Sequence, residues 1–365
     1  MYNYSSVRGC CACAGGTAIQ ASIQTRSHTD FCPLRPGKCI SSLTEGMTIA
    51  SKALAHKLKK LAWFGAIAAR RGIPTYLIAH GGGLGDDLMC TAVLRELRKR
   101  GHRRLWMMTD RPGLFANNAD ADVVLAGDPF YLTLARRLGV RVVLPIYIQR
   151  DWVNDYDTPP GRHFIAAMCL KAGITGDVVL RPYIHLTENE RAAGRIAGSQ
   201  IAIQSSGLAA RFPLRNKEWF PERFQEVVNS LADRYSFVQI GSPSDPPMQG
   251  AIDLRGRTTL RESAAILSQS LVFLGLSGFP MHLARAVDCR SVIVSGGRDD
   301  PSQTGYSCNE NLTSDIPCAP CWRWNTCDYG HRCMDMIDSD TVVDAIQRQI
   351  ERFGDPIAAD HDHIP

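Results

Sequence analysis

The sequence lacks an apolar run long enough to cross a membrane. The stretch Leu61 to Ala69 is far shorter than the ~20 residues that a spanning helix needs. The N-terminal residues also lack the charged start and continuous apolar centre of a secretion signal. We therefore expect no transmembrane helix, and the reducing cytoplasm is the default compartment.

Net charge is also small, at +5 in 365 residues, and does not by itself argue for a nucleic-acid partner. The basic residues concentrate in residues 51–72, which contain six Lys and Arg and no acid. Leu54, Leu58 and Leu61 recur there at helical spacing. Two interpretations stay open: a helix packed before the first strand, and a peripheral helix on an anionic membrane surface. Interleaved stacking aromatics are missing around Lys57, so no nucleic acid is expected.

A fully paired disulfide framework is excluded, because the 13 cysteines are odd in number. Five of them fall in residues 1–50, which have few acids and no sustained periodicity. This segment is predicted to be a disordered or misassigned leader, with Met47 as an alternative start. Three others lie in apolar-patterned segments and are interpreted as small core residues: Cys90, Cys169 and Cys289.

A further group of cysteines lies near the C-terminus, with the spacing C-x2-C-x5-C-x5-C. It consists of Cys318, Cys321, Cys327 and Cys333. This spacing resembles neither a zinc ribbon nor a zinc finger, in which a longer segment separates two close pairs. Structural thiols or disulfides are the favoured interpretation, a metal site remains open, and a catalytic role is not expected.

Strand and helix patterns alternate in both halves of the chain. In the first half the strands are predicted at 73–80, 105–109, 122–127 and 140–146. The second half repeats the alternation from Ser199 onward. This order predicts an α/β fold with two Rossmann-like domains whose parallel sheets face a central cleft. The expected division is a leader at 1–50, an N-terminal domain at 51–185, a C-terminal domain at 186–354 and a tail at 355–365.

Local signals also place helix starts in the second half. Thr259 and Glu262 form a predicted capping box. Ser339 is predicted to cap the last helix, expected at 340–353.

The first glycine turn, GGGLGDD, follows the first predicted strand at Gly81 to Asp87. It lacks the spacing of a dinucleotide fingerprint and the Gly-Lys-Ser/Thr of a phosphate-binding loop, which disfavours ordinary NAD or ATP chemistry. It does place Asp86 and Asp87 in the first turn of a helix, at the sheet edge where ligands of open sheets gather. An acid there either caps the helix or acts in catalysis.

The second half presents hydroxyls, backbone amides and one ammonium at its strand ends. QSSG ends one strand at Gly207, Lys217 precedes a helix, and LSGFPMH carries Gly278 before a helix that begins near Pro280. Such groups suit a diphosphate. The residues assigned to this side are Ser205, Ser206, Gly207, Lys217, Ser277, Gly278 and His282.

Three segments together resemble the heptosyltransferase-like glycosyltransferases of family nine. GDDLMCTAVLRELRKRG resembles the family's Gly-Asp motif, RNKEWFPERF its Lys-x-Trp-Pro segment, and LGLSGFPMHLARAV its Asp-Ser-Gly-Pro-Met-His-Leu-Ala stretch. The cysteine-bearing tail also looks like that of many members. The resemblance runs from about Ile73 to Phe353.

This resemblance implies a GT-B architecture, with the acceptor held by the first domain and the nucleotide-sugar mainly by the second. It further implies inverting, metal-independent transfer without a cofactor, typically of heptose from ADP-heptose to the lipopolysaccharide core. Matched to the family's motifs, Asp86 is the expected general base, Lys217 the phosphate-binding lysine, and Ser205 and Ser206 the hydroxyl pair. The remaining residues of the acceptor-side loop are Gly83, Gly85 and Asp87.

Two departures from the family pattern affect the donor side. Ser277 stands where the family has a donor-site Asp, and Pro243 stands near its ribose-binding acid. A UDP- or GDP-sugar donor, and a non-catalytic nucleotide-sugar-binding module, therefore remain alternatives. The protein is expected in the cytoplasm, and peripheral contact with the inner face of the membrane is the alternative expectation.

Overall fold

The computed structural model describes the backbone of residues 38–80, 82–354 and 361–362, and the side chains of residues 51–80 and 82–354. The chain divides into two units, and the division lies between Lys59 and Lys60. The first unit is helical backbone from Lys38, where helix α1 (Lys38–Arg71) begins. The predicted leader up to residue 37 and most of the predicted tail lie outside the described residues, so those predictions stay untested.

A four-stranded parallel sheet lies in the first half of the chain. Its spatial order is β3-β2-β1-β4. The strands are β1 (Tyr76–Ala79), β2 (Leu105–Met108), β3 (Val123–Leu125) and β4 (Arg141–Val143). Each lies within its predicted segment, because continuous apolar runs suit strands covered on both faces.

A six-stranded parallel sheet lies in the second half, in the order β10-β9-β8-β11-β12-β13. Its strands are β8 (Gln200–Ile203), β9 (Ser236–Gln239), β10 (Ile252–Asp253), β11 (Val272–Leu276), β12 (Ser291–Gly296) and β13 (Glu310–Thr313). The two edge strands, β10 and β13, were not predicted, since they are short and carry polar residues.

Two small antiparallel pairs complete the strands. One is the hairpin of β5 (Gln149–Asp151) and β6 (Tyr156–Thr158), and the other joins β7 (Val178–Val179) to β14 (His361–Asp362). The predicted boundary at 185/186 falls between β7 and β8 and stays a prediction.

Ten further helices of the described residues lie between the strands or after the last strand of the second sheet. They are α2 (Leu84–Lys99), α3 (Pro129–Arg137), α4 (Phe164–Lys171), α5 (Glu188–Ala193), α6 (Pro221–Leu231), α7 (Leu260–Ser268), α8 (Phe279–Ala286), α9 (Pro301–Thr304), α10 (Arg332–Asp335) and α11 (Ser339–Glu351). The predicted capping box at Thr259 and Glu262 is present. The predicted cap of the last helix was wrong by one residue: Asp338, not Ser339, accepts the Thr341 amide at 2.8 Å, and a carboxylate is an equally good cap.

The C-terminal end of α1 packs on the first sheet. Phe64 is 2% exposed and its ring lies 5.2 Å from that of Trp106 and 6.1 Å from that of Tyr131. Around Phe64 the helix is therefore packed on the sheet, as one of the two interpretations expects. None of the helices in the described part of the chain is long and apolar enough to cross a membrane.

Candidate functional site

Two glycine-containing turns predicted from the sequence, GGGLGDD and LSGFPMH, lie against each other. They open α2 and α8, and a Cβ added at Gly85 would lie 2.9 Å from Cδ2 of His282. Only a residue without a side chain allows this approach. The first turns of the two helices are thereby held at the carboxyl ends of both parallel sheets, where α/β proteins bind their ligands.

Asp86 is held in the first turn of α2 by two donors. The Gly83 amide donates to its Oδ2 at 2.7 Å, and the hydroxyl of Tyr147 donates to its Oδ1. Burial, together with the adjacent Asp86 carboxylate, raises the pKa of Tyr147 well above its ordinary value, so the phenol keeps its proton. A Cβ at Gly82 would lie 2.5 Å from Asp86 Oδ2, so this glycine leaves room for the carboxylate.

Asp87 has a different environment, although it is the next residue. It is completely buried, and its Oδ2 accepts from Thr109 Oγ1 at 2.8 Å and from Arg111 Nη1 at 2.7 Å. His80 Nδ1 lies 3.5 Å from its Oδ1. Asp87 therefore ties α2 to the segment after β2, and of the two acids only Asp86 faces open space.

That space is a cavity of ≈ 460 Å³ beside Asp86. Its lining is mostly apolar and comes largely from the segment after β4. The lining residues are Ala79, His80, Gly82, Asp86, Leu144, Ile146, Tyr147, Ile148, Arg150, Trp152 and Phe212. We call it the Asp86 cavity.

Arg150 forms the cationic part of this lining within a cluster of rings. Its guanidinium carbon lies 4.6 Å from the ring centroid of Phe212, 5.2 Å from that of Trp324 and 5.8 Å from that of Trp152. Cation–π contacts of this kind fix the guanidinium over the rings. Phe212 belongs to the second half of the chain, so this cluster joins the two halves beside the cavity.

A second cavity of ≈ 350 Å³ opens at the carboxyl edge of the larger sheet. It contains predicted donor-side residues, and Leu84 of α2 and Phe212 also reach it. Its polar lining includes Gln204, Ser206, Gly207, Lys217, Ser242, Thr258, Ser263, Ser277 and Gly278, and its apolar lining includes Ile240, Leu260, Leu276, Phe279 and Leu283. We call it the Lys217 cavity.

Lys217 forms an ion pair at the floor of this cavity. Its Nζ lies 2.6 Å from Oδ2 of Asp299 and 3.5 Å from Oγ of Ser277, and Ser277 Oγ donates to Asp299 Oδ2 at 2.6 Å. Burial lowers the pKa of Lys217, and the carboxylate of Asp299 opposes that shift. Burial alone would raise the pKa of Asp299, but Lys217 and the guanidinium of Arg298 hold it well below its usual range.

The strand-end serines are positioned by other side chains. Ser206 Oγ donates to Glu218 Oε2 at 2.7 Å, and the Gly207 amide donates to Glu218 Oε1 at 2.8 Å. Ser205 turns away from the cavity, since its hydroxyl donates to the Pro246 carbonyl at 2.8 Å. Of the predicted hydroxyl pair, only Ser206 therefore lies at the cavity.

His282 is buried at the contact between α2 and α8 rather than in the lining of the Lys217 cavity. Its Nδ1 lies 2.6 Å from the hydroxyl of Tyr306. Burial lowers its pKa to about 3, so the ring is neutral near pH 7. The structure thus gives His282 a packing position against Gly85.

The four tail cysteines line a third cavity of ≈ 260 Å³. The His331 amide donates to Cys327 Sγ at 3.3 Å, and burial raises the pKa of Cys321 and Cys333. As arranged, no three His, Cys, Asp or Glu side chains among the described residues form a set that would hold a metal ion. The described geometry therefore places the four cysteines around one cavity. The two interpretations from the sequence, structural thiols or disulfides and a metal site, both stay open.

Comparison with solved structures identifies the fold. A family 9 glycosyl transferase from Veillonella parvula superposes with a TM-score of 0.58 at 16% identity, over 76% of this chain and 98% of that one. The ADP-heptose lipopolysaccharide heptosyltransferase II of E. coli gives 0.57 at 14% identity, over 76% and 99%. The chain has the fold of the family-nine glycosyltransferases. The predicted GT-B fold class is confirmed.

A third similar structure is TibC of enterotoxigenic E. coli, an iron-containing dodecameric glycosyltransferase, with a TM-score of 0.57 at 17% identity over 76% of each chain. TibC has also been solved in complex with ADP-D-beta-D-heptose. No protein-family model matches the sequence, and no curated protein matches it.

Several residues that line or support the two cavities were not predicted from the sequence. Tyr147, Arg150 and Phe212 lie in segments without a motif, and only the fold brings them to Asp86. Asp299 could have been found, because it follows the buried strand β12 just as Asp86 follows β1. The rule that ligand groups follow the carboxyl ends of parallel strands applies to both.

Proposed function

We propose that the chain is an inverting glycosyltransferase that moves a sugar from a nucleotide-diphosphate donor to a hydroxyl of a cell-envelope glycan. By analogy with the solved relatives, an ADP-heptose-like donor and an acceptor such as the lipopolysaccharide core are the first candidates. In this proposal the Asp86 cavity takes the acceptor and the Lys217 cavity takes the donor.

The observation that carries the proposal is the junction between the two cavities. Phe212 lines both of them, and the first turn of α2 contributes Leu84 to one and Asp86 to the other. A donor and an acceptor bound side by side would bring the sugar carbon and the attacking oxygen together at this junction. Such positioning lowers the barrier of a two-substrate reaction.

On the acceptor side, Asp86 is the group that can take a proton. A sugar hydroxyl is a weak nucleophile, and removal of its proton in the transition state contributes ~10²–10⁴-fold. The Gly83 amide and the Tyr147 hydroxyl fix both carboxylate oxygens, so the base is oriented before the acceptor binds. The new bond forms from the acceptor oxygen to the anomeric carbon, on the face opposite the departing diphosphate.

On the donor side, the bond between the anomeric carbon and the diphosphate oxygen breaks, and negative charge grows on the leaving group. Lys217 and the N-terminus of α8 at Gly278 lie at one cavity and present positive charge to it. Metal-independent chemistry remains an expectation from the family resemblance.

Substitution of Asp86 by Asn tests the base. We expect Asp86→Asn to bind nucleotide as the wild type does and to transfer sugar ~10²–10⁴-fold more slowly. Asp110→Asn is the matched control, because Asp110 is an exposed acid after β2 at the same sheet edge. Full transfer by the Asp86 variant would remove Asp86 from the mechanism.

The alternative of a non-catalytic nucleotide-sugar-binding module predicts binding without turnover. Thermal-shift measurements with ADP-, UDP- and GDP-sugars rank the donors, and a transfer assay with the best of them separates the two functions. Stabilisation by a donor together with no product from any glycan acceptor would favour the binding module.

Peripheral membrane contact through residues 51–72 also stays a proposal. Leu54 and Leu58, in the first unit, are 59% and 56% exposed, and no acid lies nearby in sequence. Co-sedimentation with anionic and neutral vesicles tests it: binding to anionic vesicles that is lost in Leu54→Ser/Leu58→Ser supports the contact, and equal binding to both vesicle types contradicts it.

A further inference from the structure

A buried carboxylate lies where the sequence pattern lacks one. Counting back from His282, the family resemblance matches Ser277 to a donor-site Asp, and the hydroxyl of Ser277 donates to Asp299 at 2.6 Å. Asp299 is 2% exposed and comes from the segment after β12, 22 residues further along the chain. The Ser277 hydroxyl lies 3.5 Å from Lys217 Nζ but carries no charge, and the carboxylate of Asp299 supplies the anion at 2.6 Å.

We propose that Asp299 is the positioning residue of the donor site: it holds the Lys217 ammonium toward the diphosphate, in place of the acid absent at Ser277. This inference rests on the proposed function. Lys217 and Ser277 line the cavity, whereas the buried Asp299 contacts both of them and does not itself line it, so it would act on a ligand through these two residues.

Asp299 is itself fixed by a buried arginine. Arg298 is 2% exposed and pairs with both Asp299 and Asp157, so two cations and two acids form one balanced set. The guanidinium also donates to the Arg323 carbonyl at 3.1 Å and lies over the Trp322 ring. A charge-balanced set of this kind keeps each charge in one place, since breaking any ion pair leaves an uncompensated buried charge.

The charged and titratable groups around Lys217 decide how the arrangement responds to pH. Asp299, Arg298, Asp157 and His282 act on this region, and burial works against the ammonium form. Asp299 is the acid that pairs with Nζ, at 2.6 Å, and the other contact of Nζ is the neutral hydroxyl of Ser277 at 3.5 Å. Removing its charge lets burial lower the pKa of Lys217 further, so the lysine should lose its proton at a lower pH.

The test follows two signals across pH. One is calorimetric binding of ADP, and the other is the NMR titration of ¹³C-dimethylated lysines, with Lys217 assigned from Lys217→Arg. In Asp299→Asn we expect the alkaline midpoint of the Lys217 signal, and of ADP binding, to move down by about one to three pH units. Asp300→Asn is the control, because Asp300 only caps α9, and it should behave as the wild type.

A charge-relocation variant keeps the test informative if Asp299→Asn folds poorly. Ser277→Asp/Asp299→Ser returns the carboxylate to the family's position, and we expect it to restore the wild-type midpoints. An unchanged Lys217 titration in folded Asp299→Asn, or no recovery in the double variant, overturns the proposal. If the Lys217 midpoint moves down in Asp299→Asn as expected, but the wild type transfers no sugar, the proposed function is overturned and the positioning role of Asp299 is kept.

Discussion

Among single residues, Tyr147 should affect catalysis directly, because its hydroxyl donates a hydrogen bond to the proposed base, Asp86. We expect Tyr147→Phe to lower kcat about ten-fold or more, since a hydrogen bond to a charged group contributes roughly 1.5–3 kcal/mol. Nucleotide affinity should not change, because the ring lies in the Asp86 cavity. Steady-state kinetics and calorimetry measure both quantities.

The exposed Tyr156 supplies the matched control for that variant. Tyr156→Phe should leave kcat near the wild-type value. Equal kinetics for Tyr147→Phe and the wild type would mean that Asp86 needs no orientation from the phenol.

At this scale the sequence predicted part of the site. Asp86 and Lys217 were predicted because each carries the reactive group of a recognisable motif, and both reach a cavity. Ser205 and His282 were chosen by the same reasoning and are bonded elsewhere. Side-chain direction depends on neighbours distant in the chain, so a motif locates a residue without locating its functional atoms.

At the scale of elements, the contact between α2 and α8 depends on Gly85. We expect Gly85→Ala to lower the free energy of unfolding by about 1–3 kcal/mol, because the added Cβ would lie 2.9 Å from the His282 ring. Chemical denaturation measures the change.

Gly65 in α1 is the control, because a Cβ there meets no atom within 4 Å. Gly65→Ala should raise the free energy of unfolding by roughly 0.5–1 kcal/mol, since alanine favours a helix over glycine. Stability changes of the same sign in the two variants would contradict the account of the Gly85 contact.

The elements themselves were largely predictable. Central strands such as β1 and β11 are continuous apolar runs bounded by turn residues, and local sequence decides them. The edge strands β10 and β13 were missed, because a short polar segment pairs only when a neighbouring strand presents its edge.

At the scale of the whole molecule, two buried histidines link the halves of the chain. His163 Nε2 lies 2.9 Å from the Gly305 carbonyl, and the His282 ring packs against Gly85. Burial lowers the pKa of His163 to about 4 and that of His282 to about 3. Both rings are therefore neutral in the folded protein at pH 5.

This predicts a loss of stability in acid. The unfolded chain binds these protons near pH 6.5, so the stabilisation is complete above that pH and is lost as the pH falls toward 4. We expect up to about 3 kcal/mol from His163 alone over this range. Denaturant unfolding at pH 7, 6, 5 and 4 measures it.

His163→Gln should show a shallower fall with pH, because one buried proton-binding group is gone. His56→Gln is the control, since His56 is exposed on α1, and it should keep the wild-type slope. An identical slope in all three proteins would exclude His163 as a source of the acid lability.

The central claim is that a sugar passes from a donor in the Lys217 cavity to an acceptor in the Asp86 cavity by a single inverting displacement. The most direct measurement is an NMR analysis of the product formed from a nucleotide-sugar of known anomeric configuration, starting with ADP-heptose. The account predicts release of the nucleotide diphosphate together with a glycoside of inverted configuration. A product with retained configuration would contradict it.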